Sequence, residues 1–310
     1  MSWYIGIEIG GTKLQLVLGN ETGKILQRRK LEVNPAAGGE GIRGQIRRVL
    51  PELLRFGEVG AMGVGFGGPV DWRSGKVCRS HQIEGWSGFE LGPWLSQLAG
   101  VPVVVDNDAN VAALGEATHG AGVGFDPVFY VTLGSGVGGG LAARGQVYHG
   151  ATPGEAEIGH VRLDRQGTIV EGRCSGWAVD ARVRLAMAQA PEGVLARLAG
   201  GRPGGEARYL AEALAAGDAL AQAILDQTAE DLGFALSHVV HLFHPEIIVI
   251  GGGLSGVGEA LRAALAAALS RFVMEAFAPG PYLALAALGE DAVPMGALSL
   301  AKSRLTIAGG

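Results

Sequence analysis

VTLGSGVGGGLAARG, residues 131–145, carries five glycines within seven positions: Gly134, Gly136, Gly138, Gly139 and Gly140. Glycine gives up side-chain packing and adds backbone entropy on folding, so bare backbone must be required there. Two demands are usual: a tight corner, or an anion cradled by backbone N–H groups. How the chain continues decides the fold. The spacing Gly134/Gly136/Gly139 satisfies G-x-G-x-x-G, but a dinucleotide fingerprint must open a helix. Here LAARGQVYHG continues as a strand with an Arg-Gly turn, so the stretch reads as a glycine-turned β-hairpin.

The chain begins the same way. Ile5, Ile7 and Ile9 alternate with Tyr4, Gly6 and Glu8, and LQLVLGN follows the Gly10–Lys13 turn, which makes residues 3–19 a hairpin. A strand over 25–33 and a helix over 39–56 come next, then AMGVGFGGPV as a strand running into a glycine turn. VPVVVDNDANVAALGEATHG reads as a buried strand (101–105) and a helix capped at Asp106 or Asp108. In the second half, helices are expected over 176–190, 206–242, 257–272 and 294–304, with strands in PEIIVIGGG and PYLALAAL. Each half opens on a glycine-turned hairpin and then alternates strands with helices, an α/β pattern. Gly251/Gly253/Gly256 also fits G-x-G-x-x-G at a strand–helix junction, but too little chain follows for a dinucleotide-binding half.

Composition narrows the function. Hydrophobic residues make up 48% and charged residues 18% of 310, as in a globular protein that can hold two domains. A net charge of −5 offers no basic surface for nucleic acid or anionic lipid. MSWYIGIEIGG has neither the basic nor the long apolar region of a signal peptide, and no apolar run reaches the ~18 residues of a membrane span. The expectation is a cytoplasmic protein with Cys78 and Cys174 as free thiols. The 53 glycines cluster at turns rather than recur periodically.

IGIEIGGTKLQLVL, GVGFGGPVD, VVVDNDANVAALGE, VTLGSGVGGGL, GEAEIGH and IIVIGGGL follow one another along essentially the whole chain. In these motifs the sequence resembles the ROK family of sugar kinases and related repressors, within the actin–hexokinase–Hsp70 ATPase superfamily. The resemblance implies a two-domain actin-like, ribonuclease H-like α/β fold with a cleft between domains: 1–115 with a closing helix at 292–310, and 116–291. It implies ATP, Mg2+ and a sugar in that cleft, transfer of the γ-phosphoryl group to a hydroxyl (usually O6) of a hexose or N-acylhexosamine, and a homodimer. A repressor would carry a helix-turn-helix ahead of the hairpin, which here begins at residue 3, so no nucleic-acid partner is expected. By motif, Asp108 is the general base. Gly67, Gln82, Asn107, Asp108, Glu157 and His160 hold the sugar. Gly10, Gly11, Thr12, Lys13, Gly134, Ser135 and Gly136 wrap the phosphates, and Gly252 and Gly253 lie by the adenosine.

The residues themselves agree with that chemistry while leaving other readings open. Phosphoryl transfer needs mainly positioning and charge stabilisation, and a carboxylate at a strand end can orient and deprotonate a hydroxyl. Read alone, Asp108 is equally a helix cap, Glu157 with His160 a surface pair or metal site, and Lys13 a solvated hairpin lysine.

Four departures from the family pattern stand out. Glu8 replaces its first aspartate, with a water-mediated magnesium contact as its expected role. TIVEGRCSGWAVDAR replaces a C-x-C-G-x-x-G-C zinc loop and keeps one cysteine, where tetrahedral zinc wants four N or S ligands, so no zinc site is expected. The family's sugar-binding glutamate falls near Ala178, with Asp180 as a substitute, and its asparagine after GPVD falls near Gln82. The phosphate side is thus better kept than the sugar side, which implies an altered acceptor or, alternatively, a catalytically weak or inactive sugar- or nucleotide-binding regulator. Glu116 reads as a surface residue. Trp86 and Trp177 read as candidates to stack on a sugar, and His238, His241 and His244 as helix-end residues.

Overall fold

Alternating isoleucines build the first strand, and the strands beside it follow from the turns. The computed structural model describes residues 2–20, 22–80, 83–152, 156–201 and 204–308, with side chains up to residue 303. β1 (Trp3–Ile9), β2 (Lys13–Asn20) and β3 (Ile25–Glu32) form an antiparallel meander, followed by α1 (Gly38–Leu54). β4 (Val59–Phe66) leads into the short hairpin β5 (Val70–Asp71) and β6 (Lys76–Val77), then α2 (Leu91–Ala99), β7 (Val103–Asn107) and α3 (Asp108–His119). β8 (Val128–Leu133), β9 (Val137–Ala143) and β10 (Gln146–Val147) make a second meander. A helical stretch follows: α4 (Glu171–Cys174), α5 (Gly176–Gln189), α6 (Val194–Ala199), α7 (Leu210–Ala215) and α8 (Ala219–Phe243). β11 (Ile247–Gly251), α9 (Glu259–Phe272), β12 (Tyr282–Leu285) and α10 (Ala292–Ala308) complete the order.

One sheet runs β3-β2-β1-β4-β7 and the other β10-β9-β8-β11-β12. In the first, β4 lies parallel to both β1 and β7; in the second, β11 lies parallel to both β8 and β12. Parallel strands are covered on both faces, and the near-continuous apolar, buried runs of β4, β8 and β11 fit that. The chain divides into two compact units, Met1–Gly124 with Gly140–Glu155 and Ala287–Gly310, and Phe125–Gly139 with Ala156–Ala286.

In the first unit, Ile5, Ile7, Ile9, Leu14, Leu16 and Leu18 face Ile42, Ile46, Leu50 and Leu53 of α1. The other sheet face, at Tyr4, Val17 and Ala61, packs on Leu298 and Ala301 of α10. Close approach here needs glycine: a Cβ on Gly63 would strike the Ala297 carbonyl, and one on Gly296 the Val111 carbonyl. In the second unit β8 and β11 are buried, and α8 packs on α9, with the Gly233 Cβ position 2.9 Å from that of Ala268.

Local structure differs from the sequence reading in three places. The helix expected over 206–242 is a short 3-10 turn, α7 and α8. Gly217 turns left-handed at φ 75°, and Asp218 caps α8 by accepting from the Leu220 and Ala221 N–H groups. The elements α2, α4, α6 and the β5–β6 hairpin are additional. The cap of α3 is Asn107, neither Asp106 nor Asp108.

Candidate active site

The first unit assembles one group of motif residues through its parallel strands. β1 ends at Ile9 and β2 starts at Lys13, which leaves Gly10, Gly11 and Thr12 as the turn, closed by the Gly10 N–H donating to the Lys13 carbonyl (2.9 Å). At the end of β4, the Gly67 N–H donates to the Ile9 carbonyl (2.8 Å). β7 lies next, with Phe66 opposite Asn107, so α3 begins level with Gly67. Extended backbone at Asn107 aims its side chain at the Ala109 and Asn110 N–H groups, while its Nδ2 donates to the Gly68 carbonyl (3.2 Å). Asp108 is then the first helical residue. Its Oδ1 accepts from the Ala109 N–H (2.9 Å), and its Oδ2 lies 3.4 Å from where a Cβ on Gly67 would stand. Gly10, Gly67, Asn107 and Asp108 therefore come together, and Gln82 lies outside the described residues.

Behind this group, Asp106 is 2% exposed and fully engaged. Its Oδ1 accepts from the Asn107 N–H (2.8 Å) and Asn110 Nδ2 (3.0 Å), and its Oδ2 lies 2.6 Å from His149 Nε2. The His149 ring stacks on Trp72 at 4.1 Å. A cavity of about 560 Å³ is lined by Trp72, Asp106, His149 and Leu300, and its walls include none of Gly10, Gly67 and Asp108.

Glu8, the expected magnesium contact, is committed within the hairpin. Lys13 Nζ stands 3.0 Å from its Oε1, and Gln15 Nε2 donates to its Oε2 (2.8 Å). Burial pushes the Glu8 carboxyl above the usual carboxylate range, and the Lys13 ammonium opposes that shift. This partly buried carboxylate, paired with an ammonium and an amide, staples the two strands of the hairpin.

The second unit assembles the other group. Gly134, Ser135 and Gly136 turn between β8 and β9, with the Gly134 N–H donating to the Gly136 carbonyl (3.0 Å). β11 is the parallel neighbour of β8, so Gly252 exits beside this turn. Its φ is 82°, and its Cβ position falls 2.6 Å from the Leu133 backbone. Gly134 and Gly253 are different: neither has a positive φ, and a Cβ on either would meet nothing within 4 Å. Among the described residues, nothing stands within 4 Å of a Cβ at either position, so the backbone of both glycines is open to approach. Glu157 and His160 flank and end a one-turn 3-10 helix, both exposed; Gly159 between them lies against Val137, where a Cβ would strike the Val137 carbonyl.

Several residues have roles that the sequence did not disclose. Glu116 is fully buried and accepts from the N–H groups of Ala121 (2.8 Å), Ala287 (3.1 Å) and Leu288 (2.9 Å), so it is a structural anchor rather than a surface residue. Asp180 is buried and accepts from the Ala207 N–H (2.7 Å), which commits it to the fold. Trp86 belongs to the core of the first unit, whereas Trp177 is 69% exposed. His241 Nε2 accepts from the Met274 N–H at the end of α8. Both cysteines are free, and burial, with Asp231 nearby, pushes the Cys174 thiol up to about 12. Among the described residues, no three His, Cys, Asp or Glu side chains are grouped to hold a metal, and no helix is long and apolar enough to cross a membrane.

Known proteins share both sequence and fold with this chain. It is 32% identical to a glucokinase of Thermotoga maritima over 310 residues, which cover 97% of the chain and 98% of that protein. The structure of a ROK family glucokinase from Streptomyces griseus, in complex with glucose and AMPPNP, superposes with a TM-score of 0.84 at 32% identity, over 97% of this chain and all of that one. The ROK hexokinase of Thermus thermophilus superposes with a TM-score of 0.79 at 28% identity, over 98% and 99%. Residues 4–304 match the ROK family itself. With its mixed α/β, actin-like ATPase fold, the chain belongs to the ROK family.

Proposed function

We propose that this protein is an ATP-dependent sugar kinase that transfers the γ-phosphoryl group to a hydroxyl, O6 in the first instance, of a hexose or N-acylhexosamine. The observation that carries the reading is the placement of Asp108: a carboxylate on the first residue of α3, 3.4 Å from the space over Gly67 and beside the Gly10 turn. In that position it accepts the proton of the attacking hydroxyl. Asn107, held by its own caps, Gly67, Glu157 and His160 orient the sugar in this reading, and Gln82 joins them. Gly10, Gly11, Thr12 and Lys13, with Gly134, Ser135 and Gly136, wrap the phosphates in this reading, and Gly252 and Gly253 lie by the adenosine, with open space over Gly253. Magnesium ATP, when bound, supplies the phosphoryl group and the cation that offsets its charge. The relatives named as glucokinases, one in complex with a sugar and an ATP analogue, support the assignment. A cytoplasmic homodimer accompanies it.

One observation favours a second reading, a sugar- or nucleotide-binding regulator without useful turnover. Glu8 is occupied by Lys13 and Gln15, and Asp180 by Ala207, so two positions near the expected magnesium and sugar contacts serve the fold instead. A coupled ADP-release assay over a panel of hexoses and N-acylhexosamines separates the two. Steady release with one sugar establishes the kinase; nucleotide-induced thermal stabilisation without release from any sugar establishes the regulator.

A further inference from the structure

The segment that replaces a cysteine loop is docked on the glycine turn of the second unit. Glu171, the first residue of α4, accepts from the Val137 N–H through its Oε2 (3.0 Å). At the other side, the Gly176 N–H that opens α5 donates to the Gly134 carbonyl (2.7 Å). These two bonds hold both ends of the Gly134–Gly136 turn. Between them, the Glu171 carboxylate lies directly against Gly136: a Cβ there would collide with Oε2 and stand 3.3 Å from the carboxyl carbon. α4 is itself anchored. Arg173 pairs with Asp231 of α8 (2.9 Å), and Cys174 is fully buried with its Sγ near the Thr228 carbonyl. A negative charge is thus built onto the turn by a braced element, at a place where a phosphate-binding turn is served by positive or neutral groups.

We propose that Glu171 is a specificity-determining residue of the nucleotide site. It secures the turn at Val137, and its charge beside Gly136 makes the turn select a polyphosphate already complexed with a divalent cation over the bare polyanion. The inference rests on the reading that this turn receives phosphate. The physics is Coulombic: one like charge a few ångströms from a polyanion, partly screened by solvent, costs about tenfold in affinity, and a bound cation removes most of that cost.

The test is calorimetric titration of the full chain with AMPPNP, once in excess Mg2+ and once in EDTA, for wild type, Glu171→Gln and Glu171→Ala. Glu171→Gln keeps an oxygen to accept from Val137 and drops the charge. It is expected to bind metal-free AMPPNP more tightly and so to narrow the ratio of the two affinities about tenfold. Glu171→Ala also drops the charge and narrows the ratio, but it releases the turn and weakens binding in both conditions. Because the ratio is the readout, Glu171→Ala carries the charge test if Glu171→Gln folds poorly. A ratio within twofold of wild type in both variants overturns the selectivity, and wild-type affinity for the magnesium complex in Glu171→Ala overturns the clamp. If the wild type binds no AMPPNP at all, the phosphate reading of the turn fails and this inference falls with it. If the wild type binds AMPPNP but phosphorylates no sugar, the kinase assignment fails while the ratio still decides the role of Glu171.

Discussion

Asp108 and Glu8 are both acids at the C-terminal ends of strands, one just after β7 and one inside β1, and their surroundings separate them. Asn107 already caps α3, so the helix does not depend on the Asp108 carboxylate, and Asn at 108 can still accept from the Ala109 N–H. Asp108→Asn is therefore expected to keep its melting temperature and its affinity for AMPPNP while turnover falls by ~10²–10⁴-fold, the usual loss for a missing general base. More than about a tenth of wild-type turnover with the best sugar would remove Asp108 from that role. For Glu8 the prediction concerns pH. Burial raises its carboxyl in the folded chain, so the folded state holds the proton more tightly than the unfolded one. Its contribution to stability is then fullest below the unfolded carboxyl's range and is lost as pH rises through the raised folded value. Glu8→Gln abolishes that titration, and the Lys13 ion pair, which forms only as Glu8 ionises, is already contained in the net upward shift. Urea unfolding at pH 5 and 7.5 should show wild type gaining on Glu8→Gln as pH falls; a gap that moves the other way contradicts the burial argument.

At the scale of elements, α3 organises both of its ends. Its first turn presents Asn107 and Asp108, and Glu116 in its last turn fastens the loops at 120–121 and 287–288 with three accepted N–H groups. Glu116→Gln keeps the size but turns an amide NH2 toward backbone donors, which leaves a buried N–H unpaired and costs ~1–3 kcal/mol or more. Urea midpoints should show that loss, and a change within ±0.5 kcal/mol, typical of a surface site, would contradict the anchor. The sequence could not disclose it. ALGE reads as three small or apolar residues and an acid, and what buries the acid arrives from positions far along the chain. Legible features were those set by local period: the hairpins at 3–19 and 131–145, and the glycine turns that carry Gly10, Gly134 and Gly252. The short α2, LGPWLSQLA, hides behind Gly92 and Pro93, which read as breakers although Pro fits a first helical turn. α7 and α8 merge because both are alanine-rich, and only Gly217-Asp218 marks the break. In the candidate site the same divide holds. Asp108 sits in a motif, whereas the contacts of Glu171 with Val137 and of His149 with Asp106 join residues 34 and 43 positions apart.

On the scale of the whole molecule, α10 follows every other described element in the chain yet sits at the centre of the first unit. Ala297 and Ala301 are fully buried and Leu298 nearly so, against β1, β4 and α3, at glycines that admit no side chain. Removing residues 292–310 would expose that face of the sheet and leave Tyr4, Val17, Ala61, Val111 and Leu114 without cover. The buried area lost is far larger than a small domain's margin of stability allows, so the first unit should lose cooperative folding. Tryptophan reports on it selectively. Trp3, Trp72, Trp86 and Trp94 lie in the first unit, with Trp86 1% exposed, while Trp177, in the second, is already 69% exposed. Unfolding of the first unit alone must therefore shift emission to the red, whereas the helices α5, α8 and α9 of the second unit keep a far-ultraviolet helical signal. A chain ending at residue 291 is expected to show that combination, a solvent-like emission maximum with substantial helicity retained. An emission maximum equal to that of the full chain would mean that α10 is an accessory to the first unit rather than part of its core.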